Sequence, residues 1–92
     1  MGSFQLIVTN EVGLHARPAA MFVKKAYQFK SDILVRNITT ESDWVNAKSI
    51  LEVLTLGVEQ NHYIEVTAEG SDGEQAAKEL EALVKGNFSE EE

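Results

Sequence analysis

A histidine at position 15 and an arginine at position 17 lie in the run Gly13-Leu14-His15-Ala16-Arg17-Pro18-Ala19-Ala20. The run predicts a helix start at Ala16. A helix start carries unpaired backbone N–H groups and a partial positive charge, so it holds anions. Neutral imidazole is a nucleophile, and an unperturbed ring with a pKa of about 6.5 is largely neutral at physiological pH. Arg17 supplies a permanently charged fork that matches phosphate oxygens. Pro18 falls in the first turn, where its missing N–H breaks no helical bond. Ala16, Ala19 and Ala20 are small enough for a phosphoryl donor to come close. Together these residues predict phosphoryl transfer through His15, chemistry that depends mainly on alignment and charge stabilisation. An isolated histidine at such a place more often caps the helix or fills surface. Its neighbours shift the balance.

Ser49-Ile50-Leu51-Glu52 reads as a capping box, with a short helix after Ser49 closed by Gly57. The Ser49 cap is worth about 1 kcal/mol. Ile50, Leu51 and Leu54 lie on a helix too short to bury them all, so part of that surface is expected to be exposed. Lys24 and Lys25 follow His15 by two helical turns and predict a local basic patch. His62 has no ligand-forming neighbours, and two histidines with no cysteine predict no metal site and no cofactor. No Ser-His-Asp spacing or glycine-rich nucleotide loop is present.

The elements that must position these residues follow from periodicity. Phe4 to Thr9 alternates as a strand with Phe4, Leu6 and Val8 on one face. Gly2 and Ser3 before it read as a possible cloning remnant. Asn10 to Gly13 is a loop. A helix over Ala16 to Gln28 buries Ala19, Phe22, Val23 and Ala26. Ile33 to Arg36 is a second strand, and Asn37 to Val45 contains a turn and a short third strand, with Trp44 expected to be buried at the sheet edge, an exposed partner contact being the alternative. Tyr63 to Ala68 is a strand with Ile64, Val66 and Ala68 inward. Ser71-Asp72-Gly73-Glu74 reads as a second capping box opening a last helix. That helix buries Ala76, Ala77, Leu80, Leu83 and Val84 and ends at Gly86. The order β-α-β-β-α-β-α with single apolar faces predicts a two-layer α+β domain. One domain over 1–88 is expected, with a frayed acidic tail over 89–92.

Composition narrows the function class. The 92 residues are 43% hydrophobic and 25% charged, and eight Lys and Arg face fifteen Asp and Glu for a net charge of −7. That balance argues against nucleic acid or an anionic membrane as partner. No apolar run is long enough to span a bilayer, and no signal peptide is evident. The absence of cysteine leaves no disulfide or thiolate metal site, and a cytoplasmic location is the default expectation. A monomer is the default for oligomeric state, which the sequence itself does not give.

Gly13-Leu14-His15-Ala16-Arg17-Pro18-Ala19 resembles the active-site motif of the HPr family, the histidine-containing phosphocarriers of the bacterial phosphotransferase system. Ala47-Lys48-Ser49-Ile50 with Leu54-Thr55-Leu56-Gly57 resembles that family's second motif, and Glu69-Gly70 before an acidic helix start matches its C-terminal part. The resemblance implies an open-faced two-layer sandwich, a four-stranded antiparallel sheet with three helices on one face. It implies that His15 takes phosphate at Nδ1 from phosphorylated enzyme I and gives it to enzyme IIA. Arg17 and the backbone N–H groups of Ala16 and Arg17 would stabilise the phosphate. It implies partner contacts at Ala20, Lys24, Ile50, Leu51 and Leu54, and phosphorylation of Ser49 by an HPr kinase/phosphorylase, with a transcriptional regulator as a further partner. Val12 stands where the family often has Asn or Ser, Glu52 where some members have Lys, and the segment between Val35 and Ala47 is a few residues longer than usual. Two other readings remain: a regulatory protein acting through phosphorylated Ser49 with His15 vestigial, and a small hydrolase using His15 as a base. Intact Arg17-Pro18 weighs against the first. The lack of a visible nucleophile weighs against the second.

Overall fold

The computed structural model describes residues 2–88. The elements are β1 (Gly2–Ile7), α1 (Ala16–Tyr27), β2 (Asp32–Asn37), β3 (Val45–Asn46), α2 (Ile50–Leu54), β4 (Tyr63–Glu69) and α3 (Gly73–Lys85). The acidic tail expected over 89–92 lies outside the described residues. The strands form one sheet in the order β1-β4-β2-β3, every neighbouring pair antiparallel.

Strand alternation decides which face is covered. Phe4, Ile33, Val35, Ile64, Val66 and Ala68 are buried on one face, together with Ala19, Phe22 and Ala26 of α1, Val53 of α2, and Ala76, Leu80 and Val84 of α3. Gln5, Leu34, Arg36, Glu65 and Thr67 alternate with them and are exposed or half-buried. The three helices therefore cover one face and leave the other open. This is the expected α+β open-faced sandwich.

Three local expectations are corrected. β1 begins at Gly2, which pairs with Ala68, so Gly2 and Ser3 belong to the sheet. The second capping box does not form as read. Asp72, not Ser71, precedes α3, and its side chain makes no cap. Its carboxylate instead accepts the N–H groups of Lys30 (2.9 Å) and Ser31 (3.0 Å) and the Ser31 hydroxyl. The Ser31 hydroxyl first, then the Lys30 amide, hold this carboxyl below its ordinary range against a burial cost. The junction of α1 and β2 is thereby tied to α3. Trp44 is not buried: it lies just before β3, on the side the helices leave uncovered, and is 39% exposed. The Arg36 guanidinium lies 5.2 Å from its ring centre and also pairs with Glu65 at 2.8 Å.

Candidate functional site

The loop before α1 is pinned at two points. The Asn10 side-chain amide donates to the Gly13 carbonyl at 2.9 Å, and the Gly13 N–H returns to the Asn10 carbonyl at 3.2 Å. Leu14 is fully buried, and its N–H donates to the Val58 carbonyl at 3.0 Å. Gly13 has φ +67°. The next residue but one, His15, is the N-cap of α1 in extended conformation (φ −130°, ψ 162°), half-buried, with no capping bond from its side chain.

Ala16 then turns into the left-handed region at φ +53°. For a residue with a Cβ this costs about 1–2 kcal/mol, so strain sits at the first residue of the helix. Neither the Ala16 nor the Arg17 N–H has a protein partner among the described residues, and the Ala19 N–H reaches the His15 carbonyl only at 3.5 Å. Pro18 offers no N–H. Two free amides thus stand next to the imidazole at a helix N-terminus, where negative charge is favoured. Ala16 and Arg17 are exposed, and Arg17 makes no ion pair among the described residues. This arrangement can receive an oxyanion without breaking any internal bond.

Ala16, Ala20 and Lys24 are all exposed and spaced by four, so they form one stripe along α1. Ala20 and Lys24 line a groove of about 590 Å³ together with Ile50, Lys48, Val23 and Tyr27. The structure therefore brings three of the five expected contact residues together. Leu51 (74% exposed) and Leu54 (38% exposed) lie on α2 outside that lining. Lys48 and Tyr27 were not singled out in the sequence. The signal for Tyr27 is its place one turn beyond Lys24 on the same stripe, and for Lys48 its position beside Ser49.

Ser49 is the N-cap of α2, its hydroxyl accepting the Glu52 N–H at 3.2 Å. Only half of the expected box exists. The Glu52 carboxylate accepts the Asn46 N–H at 2.9 Å and so ties α2 to β3. Among the described residues no three His, Asp or Glu side chains gather as a metal site. Among the described residues no helix is long and apolar enough to cross a membrane.

Comparison with known proteins adds to this geometry. The family described as the PTS HPr component phosphorylation site matches residues 3–86. The multiphosphoryl transfer protein of Vibrio cholerae is 43% identical over 90% of this chain, which spans 21% of that relative's length. The phosphocarrier protein HPr of Mycoplasma pneumoniae is 38% identical, over 92% of this chain and 94% of its own. The crystal structure of HPr-C-His from Thermoanaerobacter tengcongensis superposes with a TM-score of 0.91 at 42% identity, covering 100% of both chains.

Proposed function

The chain belongs to the HPr family of phosphocarriers, and from that premise we propose that His15 accepts a phosphoryl group from phosphorylated enzyme I and passes it to enzyme IIA of sugar uptake systems. The protein is a carrier and not an enzyme: it takes up a group and releases it to a partner. In the loading step the lone pair of Nδ1 of His15 forms the N–P bond as the bond between phosphorus and the donor atom of enzyme I breaks. The donor atom keeps that electron pair and takes up one proton, matched by the proton that Nε2 of His15 gives up, so the transfer balances. The phosphate is held by the Arg17 guanidinium and the Ala16 and Arg17 amides. Transfer of the group from Nδ1 to enzyme IIA breaks the N–P bond and regenerates His15.

The observation that carries this reading is the pair of unpartnered amides at Ala16 and Arg17 beside a half-buried imidazole. Preorganised donors stabilise the transferred charge without reorganisation. They are few enough to leave the bond labile. The groove lined by Ala20, Lys24 and Ile50, with Leu51 and Leu54 beyond it, is the docking surface in this reading. Phosphorylation of Ser49 by an HPr kinase/phosphorylase would add a dianion at the start of α2, where the cap already favours negative charge. It would weaken docking and prepare contact with a transcriptional regulator. The reading includes a cytoplasmic monomer whose domain covers 1–88.

Incubation with phosphoenolpyruvate and enzyme I should add about 80 Da, the mass of one phosphoryl group. The adduct should be acid-labile, map to His15 and be absent from His15→Ala. An adduct of equal yield in His15→Ala overturns the reading.

A further inference from the structure

A second histidine lies on the platform beneath this loop. Nδ1 of His62 is 3.1 Å from the Glu59 backbone nitrogen and 3.1 Å from Nδ2 of Asn37. The Glu59 N–H can only donate. The orientation of the fully buried Asn37 amide is set by its other partners: its Oδ1 accepts the Thr40 N–H at 3.2 Å, and its Nδ2 donates to the Leu56 carbonyl at 3.1 Å. Reversing that amide would set oxygen against oxygen at Leu56 and N–H against N–H at Thr40. Two donors therefore converge on Nδ1, which must be bare, and the ring proton belongs on Nε2.

The segment that ends in His62 carries the phosphorylation loop. The His62 carbonyl accepts the Val8 N–H at 2.8 Å, and the Asn61 N–H returns to the Val8 carbonyl at 2.6 Å. The Gln60 side chain donates to the Thr9 carbonyl at 3.1 Å. The Val58 carbonyl takes the Leu14 N–H, one residue before His15. Through Asn37, the His62 ring fastens this platform to the end of β2 and to the carbonyl following α2. The ring is the common node of the turn at 59–62 and the buried amide.

We propose that His62 is a positioning residue for phosphoryl transfer at His15, acting as a neutral Nε2–H imidazole whose Nδ1 accepts from Glu59 and Asn37. The proposal rests on the phosphocarrier reading above. Two variants separate the acceptor from the bulk of the ring. His62→Asn places an oxygen where Nδ1 lies, whereas His62→Leu keeps apolar bulk and offers no acceptor.

Nitrogen-15 NMR of the intact protein at neutral pH should show His62 with Nδ1 bare and Nε2 protonated; the opposite tautomer overturns the proposal. His62→Leu should slow phosphorylation of His15 by enzyme I about tenfold, in keeping with the steep dependence of transfer on alignment. It should also speed exchange of the Leu14 amide while leaving Val66 in β4 unchanged. His62→Asn should restore both. Wild-type behaviour of the Leu variant, or equal loss in both variants, overturns the proposal. Should the Leu variant fail to fold, the tautomer together with near-wild-type transfer and Leu14 exchange in the Asn variant decides the matter. Absence of labelling in the unmodified protein counts against the phosphocarrier reading alone, because the tautomer and the Leu14 exchange judge His62 without it.

Discussion

Two glycines with similar positive φ allow strain to be separated from collision. Gly13 has φ +67° and Gly57 has φ +58°. A Cβ added to Gly57 meets nothing within 4 Å, whereas one added to Gly13 lies 2.2 Å from the Val58 carbonyl oxygen. Gly57→Ala should therefore cost only the left-handed conformation, about 1 kcal/mol. Gly13→Ala carries the same cost and must in addition push neighbouring backbone segments about 1 Å apart, since carbon and oxygen ordinarily approach no closer than about 3.3 Å. That displacement breaks the Leu14–Val58 hydrogen bond, a further loss of about 1 kcal/mol, and loosens buried Leu14. These two losses come to about 2 kcal/mol, tolerable within a stability of about 5–15 kcal/mol. His15 lies two residues on, and misplacement by about 1 Å can cost up to about a hundredfold in transfer. Urea unfolding and single-turnover phosphorylation by enzyme I read the two effects. Equal destabilisation by the two variants, or transfer at the wild-type rate in Gly13→Ala, would refute the steric argument.

Further outcomes can be checked on the same preparations. Arg17→Gln should slow transfer roughly 10- to 100-fold, the equivalent of one charge-assisted hydrogen bond of about 1.5–3 kcal/mol, with unfolding by urea unchanged. Ser49→Ala should lose about 1 kcal/mol of stability through the missing cap, whereas Ser49→Asp should keep the cap and weaken enzyme I binding, as read by calorimetry. The Asp72 carboxyl is held below its ordinary range by Ser31 and Lys30. Its stabilisation is therefore complete above its unfolded value of about 3.9 and lost as the pH falls through the lower folded value. Asp72→Asn should be less stable at neutral pH and show a shallower loss in acid. Identical acid slopes for the two proteins would contradict this assignment.

The parts of the fold that bury a single face are readable from pattern. Ala19, Phe22 and Ala26 of α1, the alternation of β4, and the stripe of α3 each point to the core without knowledge of any partner. Residues whose conformation depends on a distant segment are not readable in this way. Ser71 and Glu74 have the spacing of a box, yet Asp72 between them meets the free amides at Lys30 and Ser31, and the long-range bonds decide the geometry. Glu52 is likewise drawn from its own cap to Asn46. Trp44 has the composition of a core residue, but the face it lies on has no helix above it, and a guanidinium takes the place of a core. At the site, His15 and Arg17 are legible because their side-chain chemistry is. The left-handed turn at Ala16 is not, since alanine has no preference for it; it is imposed by Leu14, held in the core on one side, and by α1 on the other. The place of His62 is legible only once Asn37 and Glu59 are known to meet it.

The net charge of −7 is a poor guide to what a docking partner meets. Between Ala16 and Ser31 the chain carries four cations and no carboxylate: Arg17, Lys24, Lys25 and Lys30. Lys25 is turned toward Glu79 of α3 at 3.5 Å, but Arg17 and Lys24 have no ion pair among the described residues. At physiological ionic strength exposed charges are largely screened beyond about 8 Å, so the sign of the surface is set locally. An acidic partner can thus be drawn to α1 by a protein that repels it elsewhere. Ser49 stands between Lys48 and Ile50, both of which line the groove with Lys24. A phosphate there would bring a charge of about −1.5 to −2, enough to offset both lysines. Its hydroxyl already caps α2, so the added charge is compatible with the helix and need not alter the fold. Regulation through Ser49 would then act by changing the sign of the surface beside the carrier site, with the geometry at His15 left intact.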